Sequence, residues 1–262
     1  MEKYTVLTYD FGGYEKVHEI KEKSPNAEYL YVTDNQDLQS DTWEIMYIDN
    51  PWPDDVFRLC YEVRFNPWNY VDTDIVVRVD GSIGIDRNLD ELVQYFIDGD
   101  YDIGFPLHPL RDTMIHEYSA WVQLRQYPVD QANRCLAFMQ KIGYDVVNFK
   151  GMGQYNVVIQ KRNRINELIN EGTMWALKTM AGPGKEIERI DQTVGNMIIQ
   201  KFYPETKVMP MSVDLTDGLW MTWYGHNSDI KIPYADKRLE PFYHNQPVEF
   251  CPLTVKEKEE SK

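Results

Sequence analysis

Short β-branched and aromatic runs alternate with stretches of helical period over the first hundred residues. YTVLTY (4 to 9), AEYLYVTD (27 to 34), WEIMYID (43 to 49), DIVVRVD (74 to 80) and YDIGFP (101 to 106) read as strands. Helical spacing occupies 54 to 66 and 88 to 98, with Asn88 placed to cap the second stretch. Strands and helices in this alternation predict an α/β chain whose mostly parallel central sheet is flanked by helices on both faces. Such sheets bind ligands beyond the carboxyl ends of their strands. Tyr9, Asp10, the FGGY turn, Asp34, Asn35 and Asp80 to Ser82 are therefore expected on one rim. The acidic pair Asp72 and Asp74 enters its strand from the opposite end, so the Asp-x-Asp triplet it forms is a decoy.

Longer helical periods follow at 113 to 126, 129 to 142, 162 to 180 and 186 to 202, giving a helical C-terminal half. A Gly-containing connection, KGMGQYN, precedes VVIQ, which reads as one more strand, and MAGPGKE (180 to 186) is expected to form a mobile lid. Beyond 207 the Pro- and aromatic-rich chain is expected to return strands and loops to the cleft. Residues 1 to 255 read as a single domain and 256 to 262, KEKEESK, as a charged, disordered tail.

Composition narrows the function. A chain of 262 residues with 43% hydrophobic content can bury one large core. Its 18 Tyr and 7 Trp supply flat amphipathic walls of the kind sugar clefts use, although most will serve as core and surface filler. A net charge of −15 argues against nucleic acid as a partner. No basic, apolar leader pattern and no long uninterrupted apolar window occurs, so no transmembrane segment and a cytoplasmic location are expected. Cys60, Cys135 and Cys251 are widely spaced, which fits a reducing compartment and leaves no cysteine zinc site.

Several segments carry candidate chemistry beside a plainer reading. Asp80-Gly81-Ser82 sets a carboxylate, a turn and a hydroxyl at a strand's carboxyl end, where a divalent cation can bridge a diphosphate; it can equally be only a turn. IDQTVGN (190 to 196) puts Asp191, Gln192 and Asn196 in a helix, either as site residues or as a solvated face. In YGHNSDIKIPY, His226 offers a ring nitrogen to a metal and Lys231 a charge to a phosphate, against an ordinary surface histidine. His108, Arg111 and Glu117, in HPLRDTMIHEY, stand after a strand end as acceptor or sugar contacts, or Arg111 and Glu117 form a structural ion pair. Asn156 either meets sugar hydroxyls or is a turn residue.

Taken in order, YTVLTYDFGGYEKV, AEYLYVTDNQDLQSDTWEI, IVVRVDGSIGIDRNLDELV, HPLRDTMIHEYSAW and GQYNVVIQKRN resemble a bacterial and plant family of glycosyltransferase-like domains whose plant members are associated with pectin synthesis. The resemblance covers residues 4 to 200 and implies the GT-A nucleotide-diphospho-sugar transferase fold. A looser resemblance joins Asp191-Gln192 with Asn196, and His226 with Pro233 and Tyr234, to retaining enzymes of the glycogenin and lipopolysaccharide-galactosyltransferase type. The chain departs from these patterns at Ser82, where a second metal-binding Asp is usual, at Asp229 in place of Gly, at Arg78 in place of Trp, and at NPW in place of a Pro-His pair.

These resemblances imply a glycosyltransferase acting in polysaccharide biosynthesis with a nucleotide-sugar donor, UDP-sugar favoured, and a glycan or lipid-linked acceptor at the inner face of a membrane. Asp191 and Gln192 would be catalytic and would retain the donor's stereochemistry. Thr8, Tyr9, Asp34, Arg58, Arg64, Asp80, Gly81, Ser82 and Lys231 would bind the donor, with Asp80 and His226 on Mn²⁺ or Mg²⁺. Two alternatives stand beside it. One is a GT-A-like glycan-binding module without transfer activity; the other is a glycoside hydrolase, which needs only two suitably spaced carboxylates.

Overall fold

The computed structural model describes residues 1 to 108, 113, 114, 116 to 118, 129 to 147, 153 to 182, 187, 188, 190 to 212, 220 to 224, 226 and 229. Their elements run β1 (Tyr4–Asp10), β2 (Ala27–Thr33), β3 (Glu44–Tyr47), α1 (Val56–Phe65), β4 (Ile75–Val79), β5 (Ile83–Ile85), α2 (Asp90–Asp98), β6 (Ile103–Pro106) and α3 (Val129–Lys141). β7 (Val157–Lys161), α4 (Arg164–Met180), α5 (Asp191–Phe202), β8 (Val208–Met211) and β9 (Met221–Trp223) follow.

Seven strands form one sheet in the order β3-β2-β1-β4-β7-β6-β8. β1 pairs in parallel with β2 and β4, β2 with β3, and β6 with β8, while β7 runs antiparallel between β4 and β6. The expected mostly parallel α/β sheet is thus the one that forms, with a single reversed strand. All seven residues of the central strand β1 are buried, whereas β3, at an edge, has exposed residues at both ends.

Side chains alternate between the sheet's two faces with period two, and each face has its own apolar layer. Leu7, Leu30, Val32 and Val76 meet Leu59 and Val63 of α1 on one face. Val6, Val77 and Val79 belong to the larger cluster that takes in apolar residues of α2, α3, α4 and α5. The near-continuous Val and Ile content of β4 follows from this double covering.

Local chemistry sets the element ends. Asn163 caps α4, its side chain accepting from the Asn166 amide at 2.9 Å. Asn88 does not occupy the cap position of α2, which falls to Leu89; its side-chain oxygen accepts from the Asp90 amide at 2.8 Å and turns the chain into the helix. Gly12 and Gly13 have φ of 71° and 66°, so the FGGY turn uses the conformational freedom that only glycine has at little cost. β5 and β9 pair antiparallel in a separate small sheet, too short for alternation to announce either strand. Most of the expected helix at 113 to 126, the centre of the expected lid and the charged tail lie outside the described residues.

Candidate active site

Parallel pairing of β1, β2 and β4 brings Asp10, Asp34 and Asp80 to one rim, at the carboxyl ends of the strands. Asp72 and Asp74 are exposed at the amino end of β4, as the decoy reading requires. The FGGY turn is tied to the rim: the Gly12 amide donates to Asp34 at 2.9 Å and the Glu15 amide to Asp10 at 3.0 Å. Asn50 also donates to Asp34, at 3.0 Å. Gly81 admits the turn closely, since a Cβ there would lie 3.0 Å from Glu15 Cγ.

One guanidinium organises the rim. Arg64, in the last turn of α1, donates through Nη2 to Asp80, through Nη1 to Asp191 and through Nε to the Tyr9 hydroxyl, the last at 2.5 Å. Tyr61, one turn earlier, donates to the other Asp191 oxygen at 3.3 Å. Asp191 opens α5, so the acidic residue sits at a helix N-terminus and the basic one at a helix C-terminus, each where the helix dipole favours its charge. Asp80 and Asp191, 111 positions apart in the chain (191 − 80), are thereby joined through one side chain.

The Arg64 charge is held firmly. Burial pulls the Arg64 pKa down, but Asp191 and Asp80 more than reverse this, so it stays well above its ordinary value and the side chain is always charged. Burial pushes the Asp80 carboxyl up against the pull of Arg64 and Arg78. Burial likewise raises the Tyr9 phenol to about 12 and the Asp10 carboxyl to about 7.

The remaining sequence candidates divide. Thr8 and Ser82 are buried at 2% and 4% exposure, which confines them to lining the rim from beneath. Arg58 lies over the Trp52 ring, 3.9 Å from its centroid. Gln192 is half-buried, and its carbonyl accepts from Asn196 Nδ2 at 2.7 Å. Asn196 is itself buried and clasps Gly153, accepting from its amide and donating to its carbonyl, both at 2.9 Å. It therefore locks α5 to the chain that leads into β7. Asn156 gives its carbonyl to the Asp80 amide at 2.8 Å, beside the rim. His108 is half-buried just beyond β6 on the same rim, and Glu117 is buried. Arg111, Lys231, Pro233 and Tyr234 lie outside the described residues.

Sequence reading did not single out Tyr61, Glu15 or Tyr155. Tyr61 and Arg64 at helical spacing, facing one direction, were the available signal for the first. Glu15 holds His226, whose Nδ1 lies 2.5 Å from its Oε1; this bond raises the imidazole pKa against the opposing effect of burial. Tyr155 presses on α5, its hydroxyl 2.2 Å from where a Cβ on Gly195 would stand. Only the fold brings those two together.

Outward from Asp80 the small β5–β9 sheet borders a cleft of about 410 Å³ lined by His18, Glu19, Lys21, Asp86, Tyr224 and Asp229, among others. His18 stacks on Tyr224 with ring centroids 4.2 Å apart, and burial lowers its pKa, keeping it neutral near pH 7. Lys21 pairs with Asp86 and Lys16 with Asp229.

The residues expected to share a divalent cation are otherwise engaged: Asp80 by Arg64 and His226 by Glu15, with a buried hydroxyl, Ser82, at the third position. Among the described residues no three His, Cys, Asp or Glu side chains converge as a metal site. The described donor set, so paired, does not fit a bound Mn²⁺ or Mg²⁺.

No family model matches the chain, and no curated protein matches it. Among solved structures the chain is similar to mouse xyloside xylosyltransferase 1 in its apo form, at 9% sequence identity and a TM-score of 0.43, over 80% of this chain and 85% of that one.

Proposed function

We propose that this chain is a glycosyltransferase that moves a sugar from a nucleotide-diphosphate donor, a UDP-sugar by preference, to a glycan or glycolipid acceptor. The observation that supports it best is the meeting of Asp80, from the end of β4, with Asp191, from the start of α5, at the rim where α/β sheets bind ligands. The ordered family resemblance points the same way, and the mostly parallel sheet is compatible with it.

In this reading the nucleotide lies across the ends of β1 and β4, with Tyr9 and Asp34 beside base or ribose. The bond from the anomeric carbon to the diphosphate oxygen breaks and its electron pair leaves with the diphosphate. Charge develops on the leaving group, where fixed cations stabilise it most. Asp191 and Gln192 flank the developing oxocarbenium ion. The acceptor oxygen bonds to the anomeric carbon on the face the leaving group vacates, and its proton passes to a departing phosphate oxygen. Holding acceptor and donor together in one cleft supplies much of the rate. No helix of the described residues is long and apolar enough to cross a membrane.

A thermal-shift panel of UDP, GDP, CDP, dTDP and ADP tests this. A ligand at about 100 times its Kd should stabilise by ~2.7 kcal/mol, a shift of several degrees. One nucleotide is expected to raise Tm, UDP first, and Asp191→Asn should abolish turnover with the matching donor while leaving that shift. If no nucleotide moves Tm, the transferase reading is lost. The cleft beside His18 and Tyr224 then favours a second reading, a glycan-binding module, which a glycan array with the wild-type chain decides.

A further inference from the structure

The carboxylates that a cation at this rim would need are held by a side chain that is itself a cation. Arg64 reaches Asp80 and Asp191 with separate nitrogens and Tyr9 with a third. Guanidinium and divalent metal compete for the same carboxylate oxygens, and like charge keeps both from occupying them together. The second ligand position holds the buried Ser82 hydroxyl in place of a carboxylate.

A second arginine lies beneath. Arg78 is 2% exposed, on the strand face that continues to Asp80, with its guanidinium 5.8 Å from the centre of the Tyr155 ring. Its Nε and Nη1 are buried with no hydrogen-bond partner among the described residues, and its charge acts on Asp80 and Tyr9. Asp80 and Asp191 bring two negative charges to this spot and Arg64 and Arg78 two positive ones, so the four groups balance. Without the arginines two close carboxylates would repel a diphosphate. With them the rim is neutral, and N–H groups of Arg64 not directed at Tyr9, Asp80 or Asp191 remain to meet phosphate oxygens in the forked geometry guanidinium favours.

We propose that the Arg64 guanidinium takes the place of a divalent cation at this rim, tying Asp80 to Asp191 and meeting the diphosphate, so that a nucleoside diphosphate binds without metal. The identity of the anion rests on the glycosyltransferase reading; the exclusion of the cation does not. Arg78 supports the arrangement from below as a positioning residue.

The test is a titration of the full chain with Mn²⁺ followed by electron paramagnetic resonance, beside calorimetric titration with UDP in EDTA and in Mn²⁺. Wild type is expected to leave Mn²⁺ free in solution and to bind UDP with the same Kd in both buffers. Arg64→Met should lose about tenfold or more of its UDP affinity in EDTA. It should also gain a Mn²⁺ site that Asp80→Asn in the same background removes. Mn²⁺ bound by wild type and released by Asp80→Asn, or UDP binding only when Mn²⁺ is present, overturns the proposal. So does an Arg64→Met chain that folds and gains no Mn²⁺. Should Arg64→Met not fold, the wild-type titrations decide alone. If UDP and the other four diphosphates fail in both buffers while Mn²⁺ stays free, the cation's replacement stands and the transferase reading falls.

Discussion

Asp80 divides its surroundings into two regions built from the same kinds of residue. Inward, the Asp80–Arg64–Asp191 group is nearly enclosed, with side-chain exposures of 31%, 11% and 14%. Outward, around the His18–Tyr224 cleft, Lys16 and Lys21 are 48% and 57% exposed in their pairs with Asp229 and Asp86. Water screens the outer pairs and leaves the inner ones strong, so the inner region fixes a geometry while the outer one can rearrange around a ligand. The proposed transfer would use that division, with the reacting group held rigidly and the acceptor accommodated.

The largest expected effect breaks the inner region. Arg64→Met strands two carboxylates and should cost about 3 kcal/mol, because removing one partner of a buried ionic group leaves uncompensated charge. Arg64→Lys should recover only part of this, since an ammonium cannot bridge both acids in a fork. Lys21→Ala, the outer counterpart, should cost no more than ~1 kcal/mol and less at high salt. Urea midpoints for the three variants settle the contrast, and equal losses at Arg64 and Lys21 would remove the distinction between the regions.

Two glycines give a smaller, steric version of the same comparison. A Cβ at Gly195 would stand 2.2 Å from the Tyr155 hydroxyl and 2.4 Å from its Cζ, inside the buried contact of α5 with the chain before β7. A Cβ at Gly84 would stand 2.7 Å from Cε2 of the half-exposed Tyr224. Tyr155 has nowhere to go, so Gly195→Ala should cost about 1–3 kcal/mol, offset in part by Tyr155→Leu. Tyr224 can swing toward solvent, so Gly84→Ala should cost less and should unstack His18, a change visible in the His18 imidazole resonances. A Gly84→Ala loss as large as that at Gly195 would show the outer region to be equally rigid.

Sequence pattern reached these regions unevenly. The sheet was legible because a strand buried on both faces reads as a run of Val, Ile and Leu, and the end of β4 that joins Asp10 and Asp34 on one rim followed from parallel topology alone. Asp80 and Asp191 were legible singly, through strand-end and helix-start positions. Their link was not, because Arg64 read, beside Arg58, as a donor-binding cation, and its bridging of the two acids depends on α1 ending where α5 begins. The reversed strand β7 was equally hidden, since VVIQ reads the same in either direction. β5 and β9 escaped because three residues show no period.

Asp10 joins the two regions and carries the effect that depends on pH. It belongs to the rim, and it accepts the Glu15 amide at 3.0 Å while Glu15 holds His226. Burial moves its pKa from 3.8 to about 7, so the folded chain binds this proton more tightly than the unfolded one. The stability it contributes is therefore complete below about pH 4 and is lost as pH rises through about 7. Asp10→Asn keeps a neutral acceptor for the Glu15 amide and has no proton to lose. Its Tm should fall less than the wild-type Tm between pH 5 and pH 8, with the two proteins furthest apart at pH 8. His226 is present in both, so its own weakening bond to Glu15 cancels in the difference. Parallel Tm profiles would mean that Asp10 is solvated when ionised, which would open the inner rim to water and erase the boundary between the regions at that residue.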